Sequence, residues 1–199
     1  MSRICHLIAI ALLVAVAPWP SSAAQRREWV TLTDCQYVAD RYNDGDSFSV
    51  RCGDTGFHLR LYYVDTPEPD LRYKERTREQ SEYFGVTLDE TVRAGAKATA
   101  TVRAMLQEPF VVHTRWATAG GRTREPRYNA LVEVGDKSLV EMLVSQGLAR
   151  TKGVFVKLPT GEKAAVHVKT LESLEREARQ KRFGIWANAA EQKPATQTR

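Results

Sequence analysis

Hydrophobic and polar positions form short, strand-like runs through the first third of the chain. β-Branched and aromatic residues fill the runs 29–39, 47–52 and 57–64, and Gly, Asn and Asp separate them. Such runs are typical of β-strands, so the pattern predicts three strands in a meander. The segment 69–88 is dense in charge and has no clean period. We interpret it as a long exposed loop that holds at most a helical turn.

After residue 88 the spacing of apolar residues becomes that of a helix. Apolar residues recur at helical spacing over 89–107, with Asp89 available as the N-cap. Two further strands are predicted at 109–116 and 128–134, and two further helices at 138–149 and about 165–181. Five strands with a helix between the third and the fourth are the arrangement of an OB-fold, which commonly binds oligonucleotides. The predicted fold class is therefore α+β, mainly β: a five-stranded OB-fold barrel with three helices.

The first 24 residues differ from the rest. Arg3 precedes an apolar run over 7–17, and Ser22 and Ala24 suit the −3 and −1 positions of a cleavage site. This pattern predicts a secretory signal peptide, and with it a periplasmic or secreted protein. A retained membrane anchor is the alternative, but the run is too short to span a bilayer comfortably. We divide the chain into a signal peptide 1–24, one globular domain 25–188 and a disordered tail 189–199.

Two cysteines remain after the signal peptide. Cys35 and Cys52 flank the turn at Asp44-Gly45 almost symmetrically, so a hairpin bent there brings them nearly opposite each other. A disulfide fits an exported protein and is worth roughly 3 kcal/mol for a loop of this size. Two buried thiols are the alternative interpretation, whereas two cysteines without a nearby His pair are weak evidence for a metal site.

Composition adds a modest indication about the partner. The chain is 43% hydrophobic, enough for a core, and it carries a net charge of +5. A mildly basic surface favours a polyanion over a cationic substrate, although the same balance is also common in proteins that are simply soluble.

Paired carboxylates are the first candidates for chemistry. Asp46 follows the tight turn at the mouth of one strand, and Asp65 ends the next strand. If these strands pair, the two carboxylates meet at one rim of the sheet. With the backbone carbonyl of Thr66 they can form an open Ca²⁺ site, because Ca²⁺ takes carboxylate, carbonyl and water oxygens. For the Asp-Gly-Asp stretch alone, an ordinary hairpin turn is the alternative.

Arg60 and Glu68 complete this constellation. A guanidinium at position 60 can hold a phosphate bidentately, and Glu68, on backbone stiffened by Pro67, can act as general base toward a water. Strand alternation places Arg60 and Asp65 on opposite faces. The hypothesis therefore requires a bulge or a loss of regular pairing at Asp65-Thr66-Pro67.

The run "DGDS … LRLYYVDTPE" resembles the signature of the thermonuclease family, the staphylococcal-nuclease-like Ca²⁺-dependent phosphodiesterases. The segments "ALVEVGDKSLVEMLVSQGLA" and "LEREARQKRFGIW" resemble that family's later elements, so the similarity covers about residues 30–187. The resemblance implies a Ca²⁺-dependent nuclease that acts on DNA and RNA, with single strands preferred, and yields 3′-phosphorylated products. It also leads us to expect a monomer.

The resemblance further implies roles for single residues. Asp46, Asp65 and Thr66 match the calcium ligands, Arg60 the first phosphate clamp and Glu68 the general base. Counting back from "QGLA" without gaps identifies Arg127 as the second clamp, with Arg124 as the other candidate.

The sequence departs from the family pattern where the nucleotide is held. Glu125-Pro126 stands in place of Tyr-Gly, and Gly153 and Phe155 replace two stacking tyrosines. Phe155 is then the remaining aromatic candidate for substrate binding, with weaker stacking. An OB-fold module that binds nucleic acid without cleaving it is the alternative function, and paired acids argue against it because binding alone does not need them.

Overall fold

The computed structural model describes residues 28–120 and 126–190. The strands are β1 (Val30–Val38), β2 (Ser47–Cys52), β3 (Thr55–Leu61), β4 (Val64–Asp65), β5 (Phe110–Ala119), β6 (Arg127–Val134), β7 (Lys137–Ser138) and β8 (Arg150–Thr151). The helices are α1 (Lys74–Phe84), α2 (Leu88–Met105), α3 (Leu139–Ser145) and α4 (Ala164–Gln180), and a 3-10 helix follows at Gly184–Asn188. The predicted signal peptide, and the tail from residue 191 on, lie outside the described residues.

Five strands close into a ring, as the sequence predicted. The order in the main sheet is β3-β2-β1-β5-β6-β7, and β3 also pairs with β6 in parallel, Arg60 opposite Asn129. Strands β4 and β8 form a separate antiparallel pair, in which Asp65 lies opposite Arg150. The fold is the predicted α+β, OB-type arrangement, with a closed sheet and helices packed around it.

The core fills this ring and continues under the helices. Alternate positions of the strands point inward, among them the fully buried Phe48, Leu59 and Val112. Helices α2, α3 and α4 cover the ring with buried apolar residues at helical spacing, including Ala98, Val102, Leu139, Leu143 and Leu171. Burial of these faces is the main source of stability.

The disulfide joins Cys35 to Cys52 across neighbouring strands. Gln36 lies opposite Arg51 in the pairing of β1 with β2, so the two cysteines are the next opposed pair along the hairpin. The predicted disulfide is therefore confirmed, and it ties the ends of the hairpin whose turn carries Asp46.

The prediction of a loop over 69–88 is wrong, because most of this segment is helix α1. The buried side chains of α1 are mainly polar, so the hydrophobic pattern showed no helical period. Only Phe84 is a large buried apolar residue, and it packs edge to face on Trp186 with 4.9 Å between ring centroids. Residues 28–120 and 126–190 thus contain four α-helices, where three were predicted.

The start of α2 also differs from the prediction. Thr87 is the N-cap, and its hydroxyl accepts the N–H of Glu90, while the Glu90 carboxylate accepts the N–H of Thr87. This capping box satisfies two N–H groups that the first helical turn leaves free. Asp89 lies within the first turn, where its charge favours the helix dipole. Among the described helices, none combines the length and the apolar character needed to cross a membrane.

Candidate active site

The turn before β2 positions the first acid. The carboxylate of Asp44 accepts the backbone N–H groups of Asp46 and Ser47, at 3.0 and 2.7 Å. Asp46 is thereby fixed at the mouth of β2, where it is 1% exposed. Burial, and then the negative charge of Asp46, raise the pKa of Asp44 well above its usual value.

A residue with a left-handed backbone conformation turns the second acid, Asp65, toward the side of the sheet that carries Asp46. Regular pairing of β3 ends before Tyr63, whose φ is +72°. The backbone of Tyr63 is held by the N–H of Lys152 at 2.9 Å and by the carbonyl of Val154 at 3.2 Å, which stabilises this uncommon conformation. Regular alternation is therefore lost, as the sequence required, but at Tyr63 and not at the predicted Asp65-Thr66-Pro67. Asp65 as a result reaches the face of Arg60.

Arg60 connects the two acids. Its guanidinium lies 2.6 Å from a carboxylate oxygen of Asp46 and 3.2 Å from one of Asp65. Burial disfavours the charged guanidinium, but Asp46, followed by other nearby acids, outweighs this effect and raises the pKa of Arg60. The other Asp46 oxygen accepts the N–H of Thr66 at 2.8 Å. Asp46, Asp65, Thr66 and Arg60 therefore form one connected group at the rim.

Helix α1 contributes Gln80 to this group. Gln80 is fully buried, and its side-chain amide donates to Asp65 at 3.1 Å and to the Thr66 carbonyl at 2.8 Å. Its amide oxygen accepts the N–H of Glu68 at 2.8 Å. One side chain thus orients three of the predicted site residues through hydrogen bonds that satisfy all of its own buried polar atoms.

Two further arginines contact the acids. Arg76 of α1 forms ion pairs with Asp65 and with Glu68. Arg150 of β8 lies 2.7 Å from Asp65 and 2.5 Å from Glu79, and its guanidinium also stacks over the ring of Tyr83. Burial alone would raise the pKa of Asp65, but Arg76 and Arg150, the largest of the opposing effects, lower it.

Glu68 lies beside these groups with 8% of its surface exposed. Burial raises the pKa of its carboxyl group, and Arg76 opposes this effect. A carboxylate that is partly withdrawn from water yet close to the rim has the environment expected of a general base.

The backbone before Glu68 rests directly on α2 at Gly95. A Cβ added at Gly95 would lie 2.5 Å from the carbonyl oxygen of Pro67 and closer still to the carbonyl group of Glu68. In an ordinary helix, replacing Gly by Ala stabilises by up to about 1 kcal/mol. Here we expect Gly95→Ala to destabilise the domain by about 1–3 kcal/mol instead, because overpacking forces the backbone apart.

Urea unfolding of Gly95→Ala measures this change in the free energy of unfolding. Ala96→Gly at the adjacent exposed position is the control, with a loss of about 1 kcal/mol from helix propensity alone. A Gly95→Ala protein that is more stable than the wild type would show that the contact between α2 and residues 67–68 relaxes freely.

Arg127 is the first residue of β6, which pairs with β3, the strand of Arg60, on the edge opposite β2. One of its guanidinium nitrogens donates to the hydroxyl of Ser47 at 3.2 Å and another to the carbonyl of Gly120 at 2.9 Å. Its buried Nε has no hydrogen-bond partner in the described part of the chain. Burial first, and then the positive charge of Arg60, lower the pKa of Arg127. Two neighbouring guanidiniums with a free donor are suited to an anion.

The two predicted substrate-binding residues are placed differently. Arg124 lies outside the described residues, as does Glu125. Phe155 is 46% exposed, and its ring stacks on that of Tyr63 with 5.5 Å between centroids. Its predicted role in substrate binding therefore stays a prediction, with part of the ring surface accessible.

Sequence reasoning missed Gln80 and Arg150 and assigned Arg76 to a solvated loop. A weak signal for α1 was present, because its buried residues recur at helical spacing: Thr77, Gln80, Ser81 and Phe84. Most of them are polar, so a search for hydrophobic period passes over them. Arg150 had no such signal, since its position opposite Asp65 depends on the pairing of β4 with β8.

The oxygens at the rim suit a hard cation in chemical type. Asp46 and Asp65 supply carboxylates and Thr66 supplies a carbonyl, the ligands that Ca²⁺ prefers. No group of three or more His, Cys, Asp or Glu side chains arranged for metal binding occurs within residues 28–120 and 126–190. The site offers only two such side chains, Asp46 and Asp65, and its third protein ligand would be the backbone carbonyl oxygen of Thr66. The residues thus fit Ca²⁺, provided that Asp65 has an acceptor free for it.

Comparison with known proteins gives one finding. The model of the family described as staphylococcal nuclease homologue matches residues 58–188. No curated protein sequence matches the chain. The matched region includes Arg60, Asp65, Glu68 and Arg127, whereas Asp46 precedes it and joins the site through its contacts with Arg60 and Thr66. Because this match covers well over half of the chain and the fold is the expected one, the chain belongs to the staphylococcal nuclease homologue family.

Proposed function

We propose that this protein is an exported, Ca²⁺-dependent nuclease that hydrolyses the phosphodiester bonds of DNA and RNA to 3′-phosphorylated products. The observation that carries the proposal is Arg60, which bridges two buried acids, one from the turn before β2 and one from β4, with Glu68 and Arg127 beside it. Family membership supports the coarser function of a nuclease. A module that only binds nucleic acid has no need of buried, paired acids.

Each residue of the site has a task in this proposal. Hydrolysis of a phosphodiester builds negative charge on the oxygens bound to phosphorus, and Arg60 and Arg127 stabilise that charge. Glu68 orients the attacking water and accepts its proton. Asp46, Asp65 and the Thr66 carbonyl would hold Ca²⁺, which supplies further stabilisation of the developing charge.

Export is part of the proposal and has two supports. The pattern of residues 1–24 is that of a signal peptide, and disulfides such as Cys35–Cys52 persist mainly in oxidising compartments. We further propose that the mature protein acts as a monomer.

The proposal is tested by digestion of single-stranded DNA and of RNA by the mature protein, with Ca²⁺ or with a chelator. We expect cleavage only with Ca²⁺, and products whose 3′ ends accept no nucleotide from a polymerase until a phosphatase has removed the terminal phosphate. A protein that shifts the strands on a gel but never cuts them would be a binding module. Equal cleavage in chelator would contradict the dependence on Ca²⁺.

A further inference from the structure

The acceptor capacity of Asp65 is fully used within the protein. A carboxylate offers about four lone-pair directions. One Asp65 oxygen takes Arg60 and Arg76, and the other takes Gln80 at 3.1 Å and Arg150 at 2.9 Å. A cation can therefore use Asp65 only if one of these four donors withdraws.

All four donors make other contacts as well, and three of them are more deeply buried than the fourth. The Arg150 side chain is 2% exposed and is also paired with Glu79. Gln80 is fully buried and makes further hydrogen bonds to Thr66 and Glu68. Arg60 is bound at 2.6 Å to Asp46. Withdrawal of any of the three would leave buried polar groups without partners, which is costly.

Arg76 differs from these three donors. Its side chain is 39% exposed, against 17% for Arg60. Its ion pairs with Asp65 and Glu68 are with acids of the site, as are those of Arg60, so its greater exposure is what distinguishes it. A guanidinium at this degree of exposure regains water when it leaves.

The position of Arg76 in α1 allows this movement. The helix begins at Lys74 after Tyr73, which provides no side-chain cap. Its other end is anchored, because Phe84 packs on Trp186 and the Tyr83 hydroxyl donates to Glu175. The first turn lacks a side-chain cap, but Thr77 within it is fully buried, so the movement required is that of the Arg76 side chain and not of the helix.

We propose that Arg76 is the resident counter-cation of this site and that Ca²⁺ binds by displacing it from Asp65. This inference rests on the proposed function, since it concerns the same cation. It assigns α1 the role of setting the affinity for Ca²⁺: the ion must outcompete a guanidinium that the protein itself supplies.

Calorimetric titration of the metal-free protein with Ca²⁺, in the absence of nucleic acid, tests the proposal. Removal of the competing charge in Arg76→Ala is expected to lower the Kd for Ca²⁺ by about 10-fold or more. Arg76→Gln, which keeps a polar side chain without the charge, is expected to change it in the same direction. Arg78→Ala is the matched control, because Arg78 lies on the same helix and pairs with the exposed Glu75; its Kd should equal that of the wild type.

Thermal unfolding provides a second readout. Without Ca²⁺, both Arg76 variants should unfold at a lower temperature than the wild type, because Asp65 and Glu68 lose a counter-charge, and saturating Ca²⁺ should raise their Tm by more than it raises that of the wild type. Unchanged or weaker Ca²⁺ binding in folded Arg76 variants would overturn the role of Arg76 and leave the nuclease proposal intact. If neither the wild type nor the variants bind Ca²⁺, the resident-cation proposal fails along with the calcium dependence, while cleavage in chelator still reports on nuclease activity.

Discussion

Arg60→Ala is expected to slow phosphodiester cleavage by about 10²- to 10³-fold, the usual loss when one donor to a developing oxyanion is removed. Arg60 holds Asp46 and Asp65 in one group, so its loss also leaves two buried acids with less counter-charge. Arg60→Lys keeps the charge but lacks the planar fork, and we expect it to recover only a small part of the rate.

Steady-state rates on a single-stranded oligonucleotide, with unfolding curves of each variant, measure these effects. Arg51→Ala is the matched control, because Arg51 is an exposed arginine on the neighbouring strand β2, and its rate should equal that of the wild type. If Arg60→Lys is as active as the wild type, a single positive charge at this position is sufficient and the bidentate clamp is wrong.

Glu68→Gln is expected to lower kcat by about 10²- to 10⁴-fold, the range for loss of a general base. The substitution keeps the shape of the side chain and one acceptor for Arg76, but it removes the charge of their ion pair and cannot accept a proton. The backbone N–H of Glu68 still bonds to Gln80, so the fold and the KM should change little. A fall in kcat without a rise in KM is the pattern of an interaction made only in the transition state.

Single-turnover digestion of a labelled oligonucleotide measures the chemical step of Glu68→Gln directly. Glu75→Gln serves as control, since Glu75 is an exposed acid of α1 that pairs with Arg78. A Glu68→Gln protein with the full rate of cleavage would exclude Glu68 as the base and direct attention to the other acids at the rim.

Much of the barrel could be predicted from local pattern. Strand β2 has its predicted limits, whereas β5 begins one residue after its predicted start and ends three residues beyond its predicted end. Alternation of side chains and the Asp-Gly turn are short-range properties, so the sequence alone specifies them. The hairpin and its disulfide follow from the same local geometry.

Helix α1 shows where this reasoning stops. Its buried face is formed by Thr77, Gln80 and Ser81 together with Phe84, and a polar residue is buried only where partners from elsewhere satisfy it. The partners of Gln80 are Asp65, Thr66 and Glu68, more than ten residues away in sequence. No periodicity in the helix itself can report such contacts.

The sequence by itself determined the residue types of the site and their spacing: acids at 46, 65 and 68 and arginines at 60 and 127, placed at strand ends. The tertiary structure decided how they meet. A left-handed Tyr63, held by residues 152 and 154, turns Asp65 toward Arg60, and Arg76 and Arg150 arrive from separate elements to neutralise it. The physical reason is that strand pattern is set by neighbours in the chain, whereas burial of charge requires counter-charges that only the complete fold brings into contact.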